Sequence, residues 1–184
     1  IKKWLLDPKM AGGGALFDTG VYPIQAACYL SGRTPSSVRG MSSKVHPDIF
    51  PDGIEEAMSY ELLFDDGFQA ICRASYSHSH HQCITLGDRS SLEIKGGPRE
   101  TKGWGSTFGQ SGNGQPNPKA LFHGQREIKL KQTFQQAVLL DEFAKCINKG
   151  SKKFKASGEM GLRDIRIIEK IYESSQNGGS LVSI

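Results

Sequence analysis

The stretch "MAGGGALFDTGVYPIQAACYLSG", residues 10–32, combines three consecutive glycines with a helix-like apolar run. Apolar residues recur in it at three- and four-residue steps, which predicts a helix over residues 15–30, and Gly32 is its expected C-cap. The glycines at 12–14 match neither a G-x-G-x-x-G turn after a strand nor a P-loop. We therefore interpret them as positions where the backbone turns tightly or another group approaches closely.

Two polar side chains in this stretch, Asp18 and Tyr22, are four residues apart, which on a helix places them on one face. A Tyr hydroxyl can act as general acid or base if a neighbouring cation lowers its pKa, and an Asp one turn earlier can hold a substrate hydroxyl or orient the Tyr. A helix-start acid followed by a packing tyrosine has the same spacing. Pro23 has no backbone N–H, so either the helix kinks there or the regular helix begins near Tyr22 and Asp18 belongs to its lead-in.

The middle of the chain has the alternation that is typical of strands. The runs "EAMSYELLF" (56–64) and "FQAICRASYS" (68–77) flank the turn residues "DDG" and predict a hairpin. A second hairpin is predicted from residues 82–87 and 90–96, and an earlier strand from residues 37–46. Because short turns join consecutive strands, the sheet is expected to be largely antiparallel.

The end of the chain predicts two helices, over residues 133–150 and 157–179, each with an apolar stripe. A short strand, "SLVSI" (180–184), closes the sequence. This order of elements predicts an α+β fold, a largely antiparallel open sheet with helices packed on one face. With 184 residues the chain is the size of one ordinary domain, so a single domain is expected over residues 1–184.

Residues 97–126 lose all periodicity and are rich in Gly, Pro, Asn and Gln. A loop of this length inside a compact domain is usually a functional lid or a disordered insertion. Trp104 lies within it and is a candidate to line a ligand site.

The run "HSHHQC" (78–83) raises the question of a metal site. On a strand, His78 and His80 share a face while His81 points to the other. Two ligands without a third do not make a zinc site, so no metal is expected, and a polar sheet end near a pocket or turn fits the run better.

Composition excludes several classes of protein. Lys and Arg number 23 against 19 Asp and Glu, and the densest basic run, "KGSKKFK" (149–155), lies between two predicted helices as a solvated loop. Basic residues are not organised on one face with a reader motif, so no nucleic acid is expected as partner. No run is long and apolar enough for a membrane span. Four widely spaced cysteines and no signal peptide favour a reduced, cytoplasmic setting.

Three segments resemble a known family. "AGGGALFDTGVYPIQAACYLSGRTPSSVRG" (11–40) resembles the start of the C-terminal domain of the Gfo/Idh/MocA oxidoreductases, with its G-G-G-x-L-x-D-x-G-x-[HY] segment and G-x-x-P-x-x-V strand entry. "GEMGLRDIRIIEKIYESSQNGGSLVSI" (158–184) resembles the closing helix of that family, and residues 55–94 are similar to its hairpin and small strand pair. Tyr, rather than His, at position 22 is closest to the glucose–fructose oxidoreductase and dimeric dihydrodiol dehydrogenase branches.

The resemblance implies the substrate-binding and dimerisation half of an NAD(P)-dependent oxidoreductase that acts on a sugar or polyol. NAD or NADP would be bound mainly by an N-terminal Rossmann domain, whose G-x-G-x-x-G turn and E-K-P segment are absent from this sequence. Without an initiator Met the chain is expected to be a fragment, inactive by itself. The sheet face would form a homodimer or a higher oligomer.

The resemblance also assigns roles to residues. Tyr22 would be the proton donor or acceptor at the reacting carbon, and Asp18 its orienting partner or a ligand of a substrate hydroxyl. Gly12, Gly13 and Gly14 would let the backbone pass close to the cofactor. His78 and Trp104 are further candidates for substrate contact.

Two other hypotheses remain open at this point. The same scaffold can serve as a non-enzymatic binding or oligomerisation domain that lacks the cofactor half. A metal-dependent enzyme that uses the histidine run is the weaker alternative.

Overall fold

The computed structural model describes residues 1–77, 82–95, 120–130 and 135–184. The chain divides into two compact units, one formed by Ile1–Ser79 with Ala156–Ile184 and the other by His80–Lys155. The second unit is therefore an insertion in the sequence of the first, which is formed by the two ends of the chain.

The helices and strands follow the predicted order. A 3₁₀ turn at Lys3–Leu6 comes first, and a π-helical turn at Leu16–Gly20 lies between the first two helices. The helices are α1 (Pro8–Ala11), α2 (Val21–Ser31), α3 (Gln135–Asn148) and α4 (Gly158–Gln176). The strands are β1 (Ser37–Ser43), β2 (Ala57–Leu63), β3 (Gln69–Ser75), β4 (Gln82–Leu86), β5 (Ser91–Lys95), β6 (Ala120–His123), β7 (Arg126–Ile128) and β8 (Val182–Ser183).

The first unit contains a four-stranded antiparallel sheet in the order β3-β2-β1-β8. The predicted hairpin of β2 and β3 is confirmed, with Ala57 opposite Ser75 and Leu63 opposite Gln69. Its turn closes through a hydrogen bond from the Gly67 N–H to the Phe64 carbonyl at 3.0 Å. Gly67 has a φ of 86°, which explains why glycine ends the "DDG" turn.

The helices α2 and α4 cover one face of this sheet. At Gly40 of β1, an added Cβ would lie 2.6 Å from Ile171 Cγ2 and 2.8 Å from the Ile171 carbonyl oxygen, so α4 packs directly on the strand backbone. The Gly40 N–H donates to Ser174 Oγ at 2.9 Å. The core between helices and sheet consists of buried side chains, among them Leu16, Ile24, Cys28, Val38, Met58, Tyr60, Leu62, Ile167, Ile168 and Ile171.

The second unit contains its own four-stranded antiparallel sheet in the order β4-β5-β6-β7. The predicted second hairpin is confirmed as β4 and β5, which turn through a hydrogen bond from the Gly87 N–H to the Ser90 carbonyl at 3.0 Å. Residues 120–123 were expected to belong to a long loop but form β6, which turns at Gly124, with a φ of 59°, into β7. A four-residue strand is too short to show its alternation against a Gly- and Pro-rich background.

The predicted α+β class with antiparallel open sheets and helices is therefore confirmed. The division of the strands between two sheets is a structural finding, because alternation identifies strands without indicating which strands share a sheet. The described part of the chain has no helix long and apolar enough to cross a membrane.

Candidate active site

The glycine run passes against two side chains of the first unit. At Gly14 an added Cβ would lie 2.1 Å from the Glu55 carbonyl oxygen and 2.6 Å from its nitrogen. At Gly13 it would lie 2.3 Å from the Tyr172 hydroxyl. Gly12 has a φ of 74° and ends α1 in the left-handed conformation. The groups that approach this backbone are thus Glu55 and Tyr172. Gly13 and Gly14 leave no space for a side chain, and Gly12 adopts a left-handed conformation that favours glycine.

Glu55 holds the start of the helical segment that follows the glycines. Its side chain is only 8% exposed. Carboxylate Oε2 accepts the Gly14 N–H at 2.8 Å, and Oε1 accepts the Leu16 N–H at 2.8 Å and the Tyr172 hydroxyl at 3.0 Å. The Glu55 carbonyl accepts the Ala15 N–H at 3.1 Å. N–H groups at a helix start lack intrahelical partners and favour a negative charge, so this carboxylate satisfies both needs.

Asp18 lies in the π-helical turn, and Tyr22 lies in the first turn of α2. The regular helix begins at Val21, so the second of the two predicted arrangements holds and Asp18 belongs to the lead-in. Pro23 falls in the first turn of α2, where a missing N–H costs least. The π-helical turn before α2 is hydrogen-bonded to the sheet, because the Tyr60 hydroxyl on β2 donates to the Gly20 carbonyl at 2.6 Å.

The structure brings Asp18 close to a residue that sequence reasoning did not select, Tyr76. The Tyr76 hydroxyl is buried and makes no hydrogen bond of standard geometry with the described residues. Burial, and secondly the negative charge of Asp18, raise the pKa of Tyr76. Its ring stacks on Phe50 with the centroids 5.9 Å apart. Asp18 is half-buried beside this hydroxyl.

Tyr22 is 41% exposed, so part of this residue is accessible at the surface of the first unit. Within the described ranges no hydrogen bond joins it to Asp18. A four-residue step, in either a π or an α turn, is close to one full turn, so both residues lie on the same side of the segment. The four-residue spacing therefore favours one shared side of the helix start for the pair.

A second buried acid, Glu56, lies next to Glu55 and directly before β2. It is 3% exposed and accepts the Val45 N–H at 2.7 Å, the His46 N–H at 2.9 Å and the Ser77 hydroxyl, with His46 Nδ1 also at 2.9 Å. These bonds, led by that from Ser77, lower the pKa of Glu56 from 4.5 to about 2. The carboxylate is thus held as an anion at the end of β3.

Two predicted substrate contacts, His78 and Trp104, lie outside the described residues, as do His80 and His81. Within the described ranges, no three His, Cys, Asp or Glu side chains are grouped to hold a metal ion.

Glu55, Tyr76 and Tyr172 were missed by sequence reasoning. Glu55 is 41 residues from Gly14 and 117 residues from Tyr172 in sequence. A local sequence pattern does not indicate contacts over such separations. The one available signal was the pair of acids directly before an apolar strand, where a charge is costly unless it is partnered.

The chain is similar in sequence and fold to proteins named as oxidoreductases. The chain is 27% identical over 175 residues to D-xylose 1-dehydrogenase [NADP(+)] of Haloarcula marismortui, covering 95% of this chain and 45% of the relative. The crystal structure of aldose-aldose oxidoreductase from Caulobacter crescentus, complexed with glycerol, is 27% identical and superposes with a TM-score of 0.77, covering 100% of this chain and 51% of that one.

A putative NADPH-dependent oxidoreductase from Desulfitobacterium hafniense, 17% identical, superposes with a TM-score of 0.80 over 98% of this chain and 50% of that one, which shows a shared fold. The chain spans about half the length of the relatives it matches. Its residues 1–97, more than half of the 184, match the GFO/IDH/MocA C-terminal domain. The chain therefore belongs to the Gfo/Idh/MocA family, as its own motifs predicted.

Proposed function

We propose that this chain is the substrate-binding and catalytic half of an NAD(P)-dependent oxidoreductase that transfers hydride between a nicotinamide and a sugar or polyol. The observation that carries the proposal is that Asp18, in the π-helical turn, and Tyr22, in the first turn of α2, lie four residues apart at one helix start, within the part of the chain that matches the family. The names of the relatives, a xylose dehydrogenase and an aldose oxidoreductase, agree with this substrate class.

In this proposal Tyr22 exchanges a proton with the substrate. Oxidation of a secondary alcohol releases a hydroxyl proton. Tyr22, a residue 41% exposed at the start of α2, takes this proton up through its hydroxyl or returns it in the reverse direction. Asp18 holds a substrate hydroxyl or orients the tyrosine. A cation beside Tyr22 is required for proton uptake near neutral pH, and the resemblance assigns it to a lysine that this sequence does not contain.

The cofactor supplies the hydride chemistry when it is bound. The glycine run does not fit its phosphates, because the N–H groups of Gly14, Ala15 and Leu16 already donate to Glu55. Gly12, Gly13 and Gly14 thus serve at most as a backbone surface that the cofactor passes. The phosphates of NAD or NADP are bound by a Rossmann domain outside this sequence, so residues 1–184 act as the C-terminal domain of a longer protein.

The proposal also includes His78 and Trp104 as contacts of the sugar or polyol. It includes a reduced, cytoplasmic location, which is supported by the four cysteines: all lie within the described residues and no disulfide joins them.

Dimerisation through the outer face of the first sheet, the face opposite α2 and α4, completes the proposal. That face carries Arg39 and Met41 on β1, Glu61 on β2, and Ile71 and Arg73 on β3. Ile71 on β3 is 83% exposed and Met41 on β1 is 62% exposed, and exposed apolar side chains that share one sheet face are typical of an interaction surface. A second copy of the chain is the proposed partner.

The test is an activity screen of the full-length protein. Purified enzyme is incubated with NAD or NADP and a panel of aldoses and polyols, and formation of the reduced nicotinamide is followed by absorbance. We expect turnover with at least one sugar or polyol, and no tight NAD(P) binding by residues 1–184 alone in calorimetry. Absence of reduced nicotinamide with every sugar and polyol would favour a non-enzymatic binding or oligomerisation domain.

A further inference from the structure

The carboxylate of Glu55 joins three parts of the first unit that are far apart in sequence. It lies directly before β2, bonds the backbone of the glycine run at Gly14 and Leu16, and accepts the hydroxyl of Tyr172 from α4. The proposed mechanism gives this buried acid no role. A buried carboxylate is costly unless its oxygens are well bonded, and these three donors meet that requirement.

The backbone that Glu55 bonds, at Gly14 and Leu16, leads directly into the π-helical turn Leu16–Gly20, called the catalytic turn below because it carries Asp18. The Asp18 N–H donates to the Gly14 carbonyl at 3.2 Å, and the Thr19 hydroxyl donates to the Ala15 carbonyl at 2.9 Å. The turn that carries Asp18 is therefore built on the residues that Glu55 holds. Tyr22 follows it without a break, since α2 begins at Val21.

The glycines leave this segment no space to move toward Glu55. The backbone at Gly14 already touches the Glu55 main chain, and a Cβ there would be 2.1 Å from the Glu55 carbonyl oxygen. At Gly13 the Tyr172 hydroxyl stands in the position that a Cβ would need. Steric contact and hydrogen bonds thus fix the same short stretch of backbone.

We propose that Glu55 is a positioning residue for the Asp18–Tyr22 pair: its carboxylate, steadied by Tyr172, fixes the backbone from which the catalytic turn starts. This inference rests on the proposed function, since it takes Asp18 and Tyr22 as the reacting pair. Glu55 does not touch the substrate. It acts through Gly14 and Leu16.

The first test compares Glu55→Gln with Glu56→Gln in the full-length enzyme. Glutamine keeps the shape of Glu55 but replaces one acceptor oxygen with a donor amide, so one of the two N–H bonds is lost. We expect kcat to fall by about ten- to a hundredfold, the scale of a small misplacement of a reacting group, with cofactor affinity unchanged. Glu56→Gln removes an equally buried acid that bonds Val45 and His46 instead, so kcat stays within about twofold.

Hydrogen exchange provides a readout that does not depend on activity. In Glu55→Gln we expect faster exchange at the Gly14 or Leu16 amide, whichever loses its acceptor oxygen, while in Glu56→Gln faster exchange is expected at the Val45 and His46 amides, which share one acceptor oxygen. An unchanged kcat for Glu55→Gln, or an equal loss of kcat in Glu56→Gln, would overturn the positioning role.

If Glu55→Gln does not fold, a compensating pair of changes tests the contact between the glycine run and Tyr172, the residue that donates to Glu55. Gly13→Ala places a methyl group against the Tyr172 hydroxyl, and we expect kcat to fall. Tyr172→Phe removes that hydroxyl, so Gly13→Ala in the Tyr172→Phe background regains part of the lost kcat. The recovery is partial because Tyr172 Cζ and Phe17 Cβ remain 3.1 and 3.2 Å from the new Cβ. Equal losses in the presence and absence of the hydroxyl would contradict the proposal.

Tyr22→Phe, measured in the same series, separates this inference from the proposed function. Loss of turnover in Tyr22→Phe together with normal turnover in Glu55→Gln would overturn the positioning role and leave the proposed function standing. Normal turnover in Tyr22→Phe would overturn the proposed function. In that case hydrogen exchange still tests the inference. If neither the Gly14 nor the Leu16 amide exchanges faster in Glu55→Gln, Glu55 does not fix this backbone.

Discussion

At the scale of single residues, two adjacent acids at the start of β2 hold different parts of the first unit. Glu55 holds the glycine run and Tyr172, while Glu56 holds the Val45–His46 backbone and Ser77. Their neighbours in space are tens of residues away in sequence. Only the cost of burying an unpartnered charge marked "EE" before an apolar strand as unusual, and that signal does not name the partners.

The pKa of Glu56 makes stability depend on pH. Its hydrogen bonds lower the pKa from 4.5 to about 2. A carboxyl whose pKa is depressed by folding stabilises the fold above its unfolded pKa, and that contribution is lost as pH falls through the folded value. We expect Glu56→Gln to be less stable than the native protein near neutral pH, and the difference to shrink as pH falls from about 4.5 to about 2.

The measurement is the free energy of unfolding of both proteins in denaturant across that pH range. Asp65→Asn serves as control, because Asp65 is an exposed acid in the β2–β3 turn. A difference for Glu56→Gln that stays constant from pH 6 to pH 2 would contradict the assigned hydrogen bonds.

At the scale of elements, periodicity predicted most helices and strands within a few residues. The apolar stripe of α4 and the alternation of β2 and β3 reflect burial on one face, which the sequence records directly. The beginning of α2 was less predictable. Apolar spacing is compatible with both α and π turns, and the choice depends on Pro23 and on the distant hydroxyl of Tyr60, which bonds the Gly20 carbonyl.

Replacing Pro23 tests that account of the helix start. Pro23→Ala supplies an N–H that can donate to the carbonyl of Thr19 and extend regular α-helix through the π turn. We expect turnover of the full-length enzyme to fall by about tenfold or more as Asp18 rotates relative to Tyr22, with no loss of thermal stability.

Pro35→Ala is the control, since Pro35 lies outside α2, beyond its C-cap at Gly32. Turnover of Pro23→Ala equal to that of the control would show that the π turn has no bearing on the pair.

At the scale of the whole molecule, the fold class was predictable from the order of elements, and the family from the motifs at residues 11–40 and 158–184. The grouping of the strands into two units was not, because it depends on contacts between segments distant in sequence. The exposed outer face of the first sheet also required the structure, since alternation predicts which residues share a face without saying what covers it.

A charged substitution tests the proposed dimer. Ile71→Glu places a carboxylate on the outer face, on β3, where Ile71 is 83% exposed. If a second copy covers this face, burial of the new charge is costly, and we expect the full-length protein to shift from dimer to monomer in analytical ultracentrifugation. Leu162→Glu on α4, an exposed position away from that face, leaves the mass unchanged. An unchanged dimer in Ile71→Glu would place the interface elsewhere.

The role of Tyr22 is the central claim, and turnover of Tyr22→Phe in the full-length enzyme tests it most directly. Tyr29→Phe is the matched control, because Tyr29 lies on the same helix and is 71% exposed. We predict that Tyr22→Phe lowers kcat by about 10²-fold or more, the scale of general acid–base groups, with cofactor affinity little changed and with Tyr29→Phe at the native rate. A native kcat for Tyr22→Phe would remove Tyr22 from the mechanism and contradict the account.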